Sequence, residues 1–178
     1  QLGFHQDTPR TFEHNTLYDT TDRTLRATRQ ILRIRQYGPT ATVTHKRPAG
    51  ESAPIDQTRY KLRIETETTV ADPAALADIF AQLGYAPVFT YEKYRTVWSQ
   101  PISTEVTGHL VLDETPIGTF AELEGPPAWI DETLALLGVP HASCTTESYG
   151  KLFLDWKQLT GSPAENLTFA ETAALLHR

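Results

Sequence analysis

Positively charged side chains recur at alternate positions in this sequence. Arg33 and Arg35 are two residues apart, and so are Lys93 and Arg95. Residues with this spacing share one face of a β-strand, so each pair of cations is expected to point in a common direction. Arginine is favoured where an anion is recognised through paired hydrogen bonds, because its guanidinium is a rigid fork of donors. The spacing therefore indicates strands whose charged face binds a polyanion.

Carboxylates follow the same spacing. Glu65 and Glu67 form one pair, and Glu122 and Glu124 form another. The members of each pair are expected to lie roughly 6.5–7 Å apart along a strand. Two carboxylates on one side suit a hard divalent cation such as Mg²⁺ or Mn²⁺. Chains of phosphates, which associate with both arginine and such cations, are the ligands that this pattern favours.

The usual meaning of apolar and polar alternation is an antiparallel sheet with one solvated face. Such a face normally mixes Thr, Ser, Gln and Lys, whereas most positions here are Arg, Lys, Glu or Asp. If the sheet closes on itself, the charged face lines an interior, where opposite charges offset the cost of removing one another from water. We therefore expect the ionic faces to point inward around a shared anion.

Period-2 stretches and helical stretches divide the chain. The predicted strands are Gln30 to Tyr37, Thr40 to Arg47, Arg59 to Val70, Tyr91 to Trp98, His109 to Glu114 and Thr119 to Glu124. The predicted helices are Asp72 to Gly84, Pro127 to Leu137, Ser148 to Thr160 and a short one around Glu171 to His177. Glycines at the helix ends and prolines between the strands mark the boundaries. This order predicts an α+β chain dominated by an antiparallel sheet.

Composition bounds the class of protein. The 178 residues suffice for one domain, with 39% hydrophobic residues and a formal net charge of −6. An acidic total disfavours general binding to nucleic acid. No apolar stretch is long enough to cross a bilayer and no signal-peptide pattern is seen, so we expect a cytoplasmic protein without a membrane partner. The single cysteine, Cys144, excludes an internal disulfide framework.

The charged stretches resemble the CYTH domain of the triphosphate tunnel metalloenzymes, a family that includes class IV adenylyl cyclases, thiamine triphosphatases and inorganic triphosphatases. The resemblance runs in family order over nearly the whole chain. It rests on Leu17-Tyr18-Asp19-Thr20, Leu25-Arg26, Leu32-Arg33-Ile34-Arg35, Thr44-His45-Lys46, Arg63-Ile64-Glu65-Thr66-Glu67, Lys93-Tyr94-Arg95, Leu112-Asp113, Gly118 to Glu124, and Ser148-Tyr149 with Lys151.

The resemblance implies an eight-stranded antiparallel β-barrel, the triphosphate tunnel, with helices packed outside it. Residues 1–161 would form this tunnel domain, and residues 162–178 a tail with a short helix. Phosphate oxygens would be contacted by Arg33, Arg35, Lys46, Arg63, Lys93, Arg95 and Lys151. Mg²⁺ or Mn²⁺ would be held by Glu65, Glu67, Asp113, Glu122 and Glu124. Asp113, as a ligand or as a base that positions water, and Lys151 would take part in catalysis.

The family opens with a strand bearing Glu-x-Glu-x-Lys, and no such motif precedes Leu2-Gly3-Phe4. The sequence also contains no Met, and Leu2-Gly3-Phe4 resembles the end of a helix without its body. Both features favour the expectation that the printed sequence lacks an N-terminal piece. The alternative is that this chain is a member of the family that lacks the strand.

Three functions are carried forward. The first is a metal-dependent phosphohydrolase acting on an inorganic, thiamine or nucleoside triphosphate. The second is a class IV adenylyl cyclase, which would additionally need a pocket that aligns the ribose 3′-hydroxyl. The third is a non-catalytic module that binds polyphosphate or a nucleotide. In each case the partner is a small molecule containing a triphosphate, and a homodimer is left open.

Overall fold

A computed structural model of the chain describes residues 3–50 and 59–173. Its core is one antiparallel sheet with the strand order β4-β3-β2-β1-β5-β6-β7. The strands are β1 (His5–Asp19), β2 (Ile31–Tyr37), β3 (Thr40–Pro48), β4 (Arg63–Thr69), β5 (Ala86–Pro101), β6 (Thr107–Thr115) and β7 (Gly118–Glu124). The predicted α+β class with a dominant antiparallel sheet is confirmed.

Within the described residues the sheet has seven strands, where the resemblance implied eight. The strands β4 and β7 are the two ends of the ladder and do not pair with each other. Side chains beyond these ends do meet: the Tyr60 hydroxyl donates to Asp131 Oδ1 at 2.5 Å, and the Lys61 ammonium donates to the Thr146 carbonyl at 3.0 Å. Segments next to the two edge strands are therefore joined by side-chain hydrogen bonds.

The predicted strands begin at Gln30 and wrongly leave out β1, which is a central strand that pairs with both β2 and β5. Its pairing with β5 shifts register between Gln6 and Thr8 and again between Thr8 and Thr11, so no single period-2 pattern runs through it. Its most buried side chains include Glu13 and Asn15, which an apolar pattern does not reveal.

The helices are α1 (Thr24–Ala27), α2 (Pro73–Gln82), α3 (Pro127–Leu137), α4 (Tyr149–Thr160) and α5 (Phe169–Ala173). The three longer ones agree with the predicted helices. Asp72 caps α2 by accepting from the amides of Ala74 and Ala75, and Gly138 and Gly161 adopt the left-handed conformation that ends α3 and α4. Helix α5 covers the start of the predicted C-terminal helix, whose remainder lies outside the described residues.

Two apolar clusters attach helices to the two faces of the sheet. Phe80 of α2 packs with Tyr18 and Ile34 on one face, outside the sheet as expected. Phe153 of α4 packs with Tyr91 and Leu167 on the opposite face. That opposite face also carries Lys93, two residues after Tyr91. Helix α4 therefore covers one end of the charged face, whereas the resemblance implied helices only on the outside.

Candidate functional site

Strand register brings the charged side chains together on one face, which we call the inner face. Cross-strand pairs lie side by side in a sheet, and Glu13 is opposite Lys93, Arg33 opposite Thr44, and Arg95 opposite Asp113. With their neighbours two residues away, they define the set. The inner face carries Glu13, Asn15, Arg33, Arg35, Tyr37, Thr42, Thr44, Lys46, Glu65, Glu67, Tyr91, Lys93, Arg95, Asp113, Glu122 and Glu124.

The centre of the inner face is a buried ionic cluster on β1, β5 and β6. Lys93 is 2% exposed, and Glu13 and Asp113 are 0% exposed. The Lys93 ammonium lies 2.8 Å from Asp113 Oδ2 and 3.5 Å from Glu13 Oε1. A buried ion of either sign is stable only when an opposite charge and hydrogen bonds replace its hydration. Each of these three groups meets that condition through the others.

Arg95 completes the cluster. Its Nε and Nη2 donate to the two oxygens of Asp113 at 2.7 and 2.6 Å, and its Nη2 also reaches Glu122 Oε2 at 2.8 Å. The Tyr149 hydroxyl, at the start of α4, donates to Asp113 Oδ2 at 2.7 Å. Both oxygens of Asp113 are therefore occupied by donors.

The two buried carboxylates of this cluster have lowered pKa values. Burial raises the pKa of Asp113, but the hydrogen bonds from Arg95 and the charges of Lys93 and Arg95 outweigh it and lower the pKa to about 2. The pKa of Glu13 is also lowered, because the charges of Lys93, Arg35 and Arg95 outweigh its burial. Burial, with the charges of Glu122 and Asp113, raises the pKa of the Tyr149 hydroxyl. At neutral pH both carboxylates are ionised and Tyr149 is a donor.

Arg33, on β2, is also buried and has neutral partners. It donates through Nη1 to the Tyr91 hydroxyl at 3.0 Å and through Nη2 to Thr44 Oγ1 at 3.1 Å. The Thr44 hydroxyl in turn donates to Glu67 Oε2 at 2.6 Å. Glu67 itself lies 3.8 Å from the Arg33 guanidinium.

Arg35 differs from the other inner-face arginines. Its Nε lies 3.4 Å from Asn15 Oδ1 and 3.6 Å from Glu13 Oε1, and neither contact is short. Within the part of the chain that the structure describes, its terminal guanidinium nitrogens make no hydrogen bond. The side chain is 18% exposed, so this cation is reachable by a ligand.

Comparison with known families decides the relationship. The sequence matches the family model for the CYTH domain over residues 1–134. This chain belongs to the CYTH domain family. The resemblance given by the charged motifs is thereby confirmed. A search of curated proteins finds no match.

Solved structures share the CYTH fold of this chain. PH1819 from Pyrococcus horikoshii has a TM-score of 0.66 at 22% identity, covering 86% of this chain and 89% of that one. A Vibrio parahaemolyticus protein described as a candidate adenylate cyclase has a TM-score of 0.63 at 19% identity, covering 85% and 84%. The Hippeastrum protein HpAC1, described as a candidate adenylyl cyclase with a dominant triphosphatase activity, has a TM-score of 0.56 at 16% identity, covering 83% of each chain. At these identities the likeness shows the fold alone.

Other predicted site residues lie toward the edges of the CYTH sheet. Lys46 on β3 pairs with Glu65 on β4 at 2.6 Å, and both are partly exposed. Arg63, on β4, donates to the backbone carbonyl of Arg29. Glu124, at the end of β7, is exposed. These side chains flank the central cluster and do not join it.

Lys151 is not brought to the inner-face cluster. It lies on α4 and is about half exposed, and its ammonium pairs with Asp155 one helical turn away, at 2.5 and 2.6 Å. The hydrogen bonds with Asp155 raise the pKa of Lys151. From the same helix it is Tyr149 that reaches the cluster.

Sequence reasoning missed Glu13, Asn15 and Tyr149 as members of the site. Glu13 and Asn15 are two residues apart and Asn15 Nδ2 donates to Glu13 Oε1 at 2.9 Å, so their spacing is the same signal that identified the other pairs. The signal was overlooked because no strand was predicted there. Tyr149 belongs to the Ser148-Tyr149 motif of the resemblance, but nothing in the local sequence indicates its contact with Asp113.

Enzymes of the CYTH family generally depend on a divalent metal. The carboxylates of the inner face are the side chains that could bind such an ion. Within residues 3–50 and 59–173, no three His, Cys, Asp or Glu side chains converge as a metal cage. Glu122 and Glu124 nevertheless offer carboxylate oxygens on one side of β7. Mg²⁺ is commonly bound by one or two carboxylates together with substrate phosphates. The residues therefore fit an ion that binds with its phosphate ligand, not one enclosed by the protein.

No helix in the described ranges is long and apolar enough to span a bilayer.

Proposed function

We infer that this CYTH protein hydrolyses a triphosphate compound bound along its inner face. The observation that supports this proposal is the concentration of Arg33, Arg35, Lys93 and Arg95 on one face, where Arg35 alone of the four has no contact shorter than 3.4 Å. If the sheet needed these cations only for stability, we would expect all four of them to make short hydrogen bonds within the protein. Arg35 keeps a guanidinium that is held in place and able to accept phosphate oxygens.

The cations of the inner face would have two different roles in binding the triphosphate. Lys93 and Arg95 are countered by Asp113 and Glu13, so they would keep the inner face rigid and leave direct contacts with phosphate to the other cations. Arg35 would make direct hydrogen bonds to the triphosphate. Lys46, which is partly exposed on β3, would contact the other end of the chain of phosphates by exchanging its pairing with Glu65.

Asp113 is better suited to positioning than to accepting a proton. A carboxylate with a pKa of about 2 is a weak base at neutral pH, and its oxygens already accept from Lys93, Arg95 and Tyr149. We assign it the role of holding those cations in place.

Glu122 and Glu124 would hold Mg²⁺ or Mn²⁺ when substrate binds. The ion would supply positive charge that neutralises the phosphoryl group and its leaving group. The hydrogen bond from Arg95 to Glu122 supports this role, because it orients the carboxylate beside the buried ionic cluster. Water is the nucleophile of the proposed reaction.

Product analysis tests the proposal. The purified chain is incubated with tripolyphosphate, thiamine triphosphate or ATP, each with Mg²⁺ or Mn²⁺, and the products are resolved by ion-exchange chromatography. Hydrolysis predicts release of phosphate or pyrophosphate without cyclic AMP. Formation of cyclic AMP from ATP would instead assign the cyclase reaction, and binding of tripolyphosphate without any product would assign a binding module.

A further inference from the structure

Two hydroxyl groups on the inner face lack hydrogen-bond partners. The Tyr37 hydroxyl on β2 and the Thr42 hydroxyl on β3 are both buried, and neither has a partner within the described residues. Buried polar atoms are nearly always hydrogen-bonded in folded proteins, and leaving one unpaired is unfavourable. An unpaired buried hydroxyl beside a charged site therefore points to a ligand that supplies the missing hydrogen-bond partner.

A neighbouring threonine shows that the strand itself does not cause this. Thr44 is two residues beyond Thr42 on the same face of β3, and its hydroxyl both accepts from Arg33 and donates to Glu67. Thr42 faces Arg35 in the same way that Thr44 faces Arg33, since each threonine is the cross-strand partner of its arginine. The Thr44 hydroxyl is therefore satisfied internally, and the Thr42 hydroxyl is not.

Tyr37 adds a second donor to the unsatisfied pair. It follows Arg35 by two residues on the same face of β2, and it is the cross-strand partner of Glu13. The carboxylate of Glu13 lies near three cations, Lys93, Arg35 and Arg95, and its Oε1 accepts from Asn15. The negative charge of Glu13 is therefore countered by these three cations together, and a bound anion would share Arg35 with Glu13.

We propose that Arg35, Tyr37 and Thr42 form a subsite for a terminal phosphate group. The guanidinium and the two hydroxyls each donate to one of the three unbridged oxygens that a terminal phosphate carries. A sugar hydroxyl would satisfy fewer of these donors and would not use the charge of Arg35. This subsite rests on the proposed function and deepens it, because it selects substrates by the free end of the phosphate chain and not by an organic group.

Variants that remove only the hydroxyls test the subsite. Thr42→Val and Tyr37→Phe keep the shape of each side chain, and tripolyphosphate binding is measured by calorimetry without metal. Each variant is expected to raise the Kd for tripolyphosphate by roughly tenfold. The matched controls are Thr68→Val and Tyr94→Phe, which lie on the opposite face of the sheet and are expected to bind like the unchanged protein.

The melting temperature without ligand separates a binding role from a structural one. Replacing an unpaired buried hydroxyl by an apolar group of the same shape is neutral or stabilising, so both variants are expected to melt at the same or a higher temperature than the unchanged protein. Thr44→Val is the contrasting case and is expected to lower the melting temperature, because it removes a satisfied hydroxyl.

The outcomes distinguish the subsite from the proposed function. If the unchanged protein does not bind tripolyphosphate, the subsite is overturned, and the product analysis with metal decides the proposed function separately. If it binds and the two variants bind equally well, the subsite is overturned and the proposed function stands. Weaker binding together with a lowered melting temperature would show that the hydroxyls support the fold, and this result would also overturn the subsite.

Discussion

The β5–β6 side of the inner face and the β2–β3 side use the same residue types in different ways. On the first, Arg95 donates to both oxygens of Asp113, and Lys93 shares the same carboxylate. On the second, Arg35 has only contacts of 3.4 and 3.6 Å, and the hydroxyls next to it are unpaired. The cross-strand neighbours explain the difference, since Arg95 lies opposite the carboxylate of Asp113 whereas Arg35 lies opposite the uncharged Asn15 and Thr42. We conclude that the β5–β6 side stabilises the charged interior and that the β2–β3 side receives the ligand.

The largest expected effect concerns Asp113. Asp113→Asn would leave Lys93 and Arg95 buried with too little negative charge, and breaking a buried ion pair from one side typically costs about 3–5 kcal/mol. We expect this loss in the free energy of unfolding measured with denaturant. Glu114→Gln, on the next residue, changes an exposed carboxylate that pairs with Arg10, and it serves as the control with little change. Equal stability of the two variants would contradict the stabilising role of the β5–β6 side.

The next effect concerns binding and tests the β2–β3 side. Arg35→Ala is expected to weaken tripolyphosphate binding by about 1.5–3 kcal/mol, the range for a hydrogen bond to a charged group. Stability should change less than in Asp113→Asn, because Arg35 has no short internal contact. Calorimetry measures the binding. The matched control is Arg10→Ala, because Arg10 pairs with Glu114 on the face of the sheet opposite to the inner face. Binding that is unchanged in Arg35→Ala would reverse the assignment of the two sides.

The pH dependence of the free energy of unfolding tests the stabilising role of Asp113 in a second way. The pKa of Asp113 is lowered to about 2 in the folded protein, below its usual value near 4 in an unfolded chain. Its contribution is therefore complete above about pH 4 and is lost as the pH falls toward 2, by about 2 kcal/mol. The measurement is the free energy of unfolding at a series of pH values. Asp113→Asn should lose this part of the acid dependence, and an identical profile in the variant would exclude Asp113 as its source.

The smallest expected effect on binding concerns Glu124. Because this carboxylate is exposed at the end of β7, Glu124→Gln is expected to reduce metal-dependent turnover while leaving metal-free tripolyphosphate binding and stability nearly unchanged. Activity is measured across a series of Mn²⁺ concentrations, and the variant should need more metal for the same rate. A variant whose metal requirement equals that of the unchanged protein would remove Glu124 from the proposed ion site.

The sequence predicted much of the fold because its signals there are local. The strand carrying Arg33 and Arg35 and the helix capped by Asp72 follow from spacing and capping within a few residues. Strand β1 was missed because its irregular register and its buried Glu13 and Asn15 break the rule that buried positions are apolar. Spacing correctly placed Lys93, Arg95 and Asp113 on the charged face. It could not show that Asp113 is saturated by its partners whereas Arg35 is not, since these contacts join residues that are distant in sequence.

Phosphorus NMR of tripolyphosphate incubated with the protein and Mg²⁺ follows the proposed hydrolysis itself. We expect the tripolyphosphate signals to decay as phosphate and pyrophosphate appear, with a slower conversion in Arg35→Ala and an unchanged one in Arg10→Ala. A spectrum that stays unchanged with the unaltered protein, or equal rates in Arg35→Ala and Arg10→Ala, would contradict it.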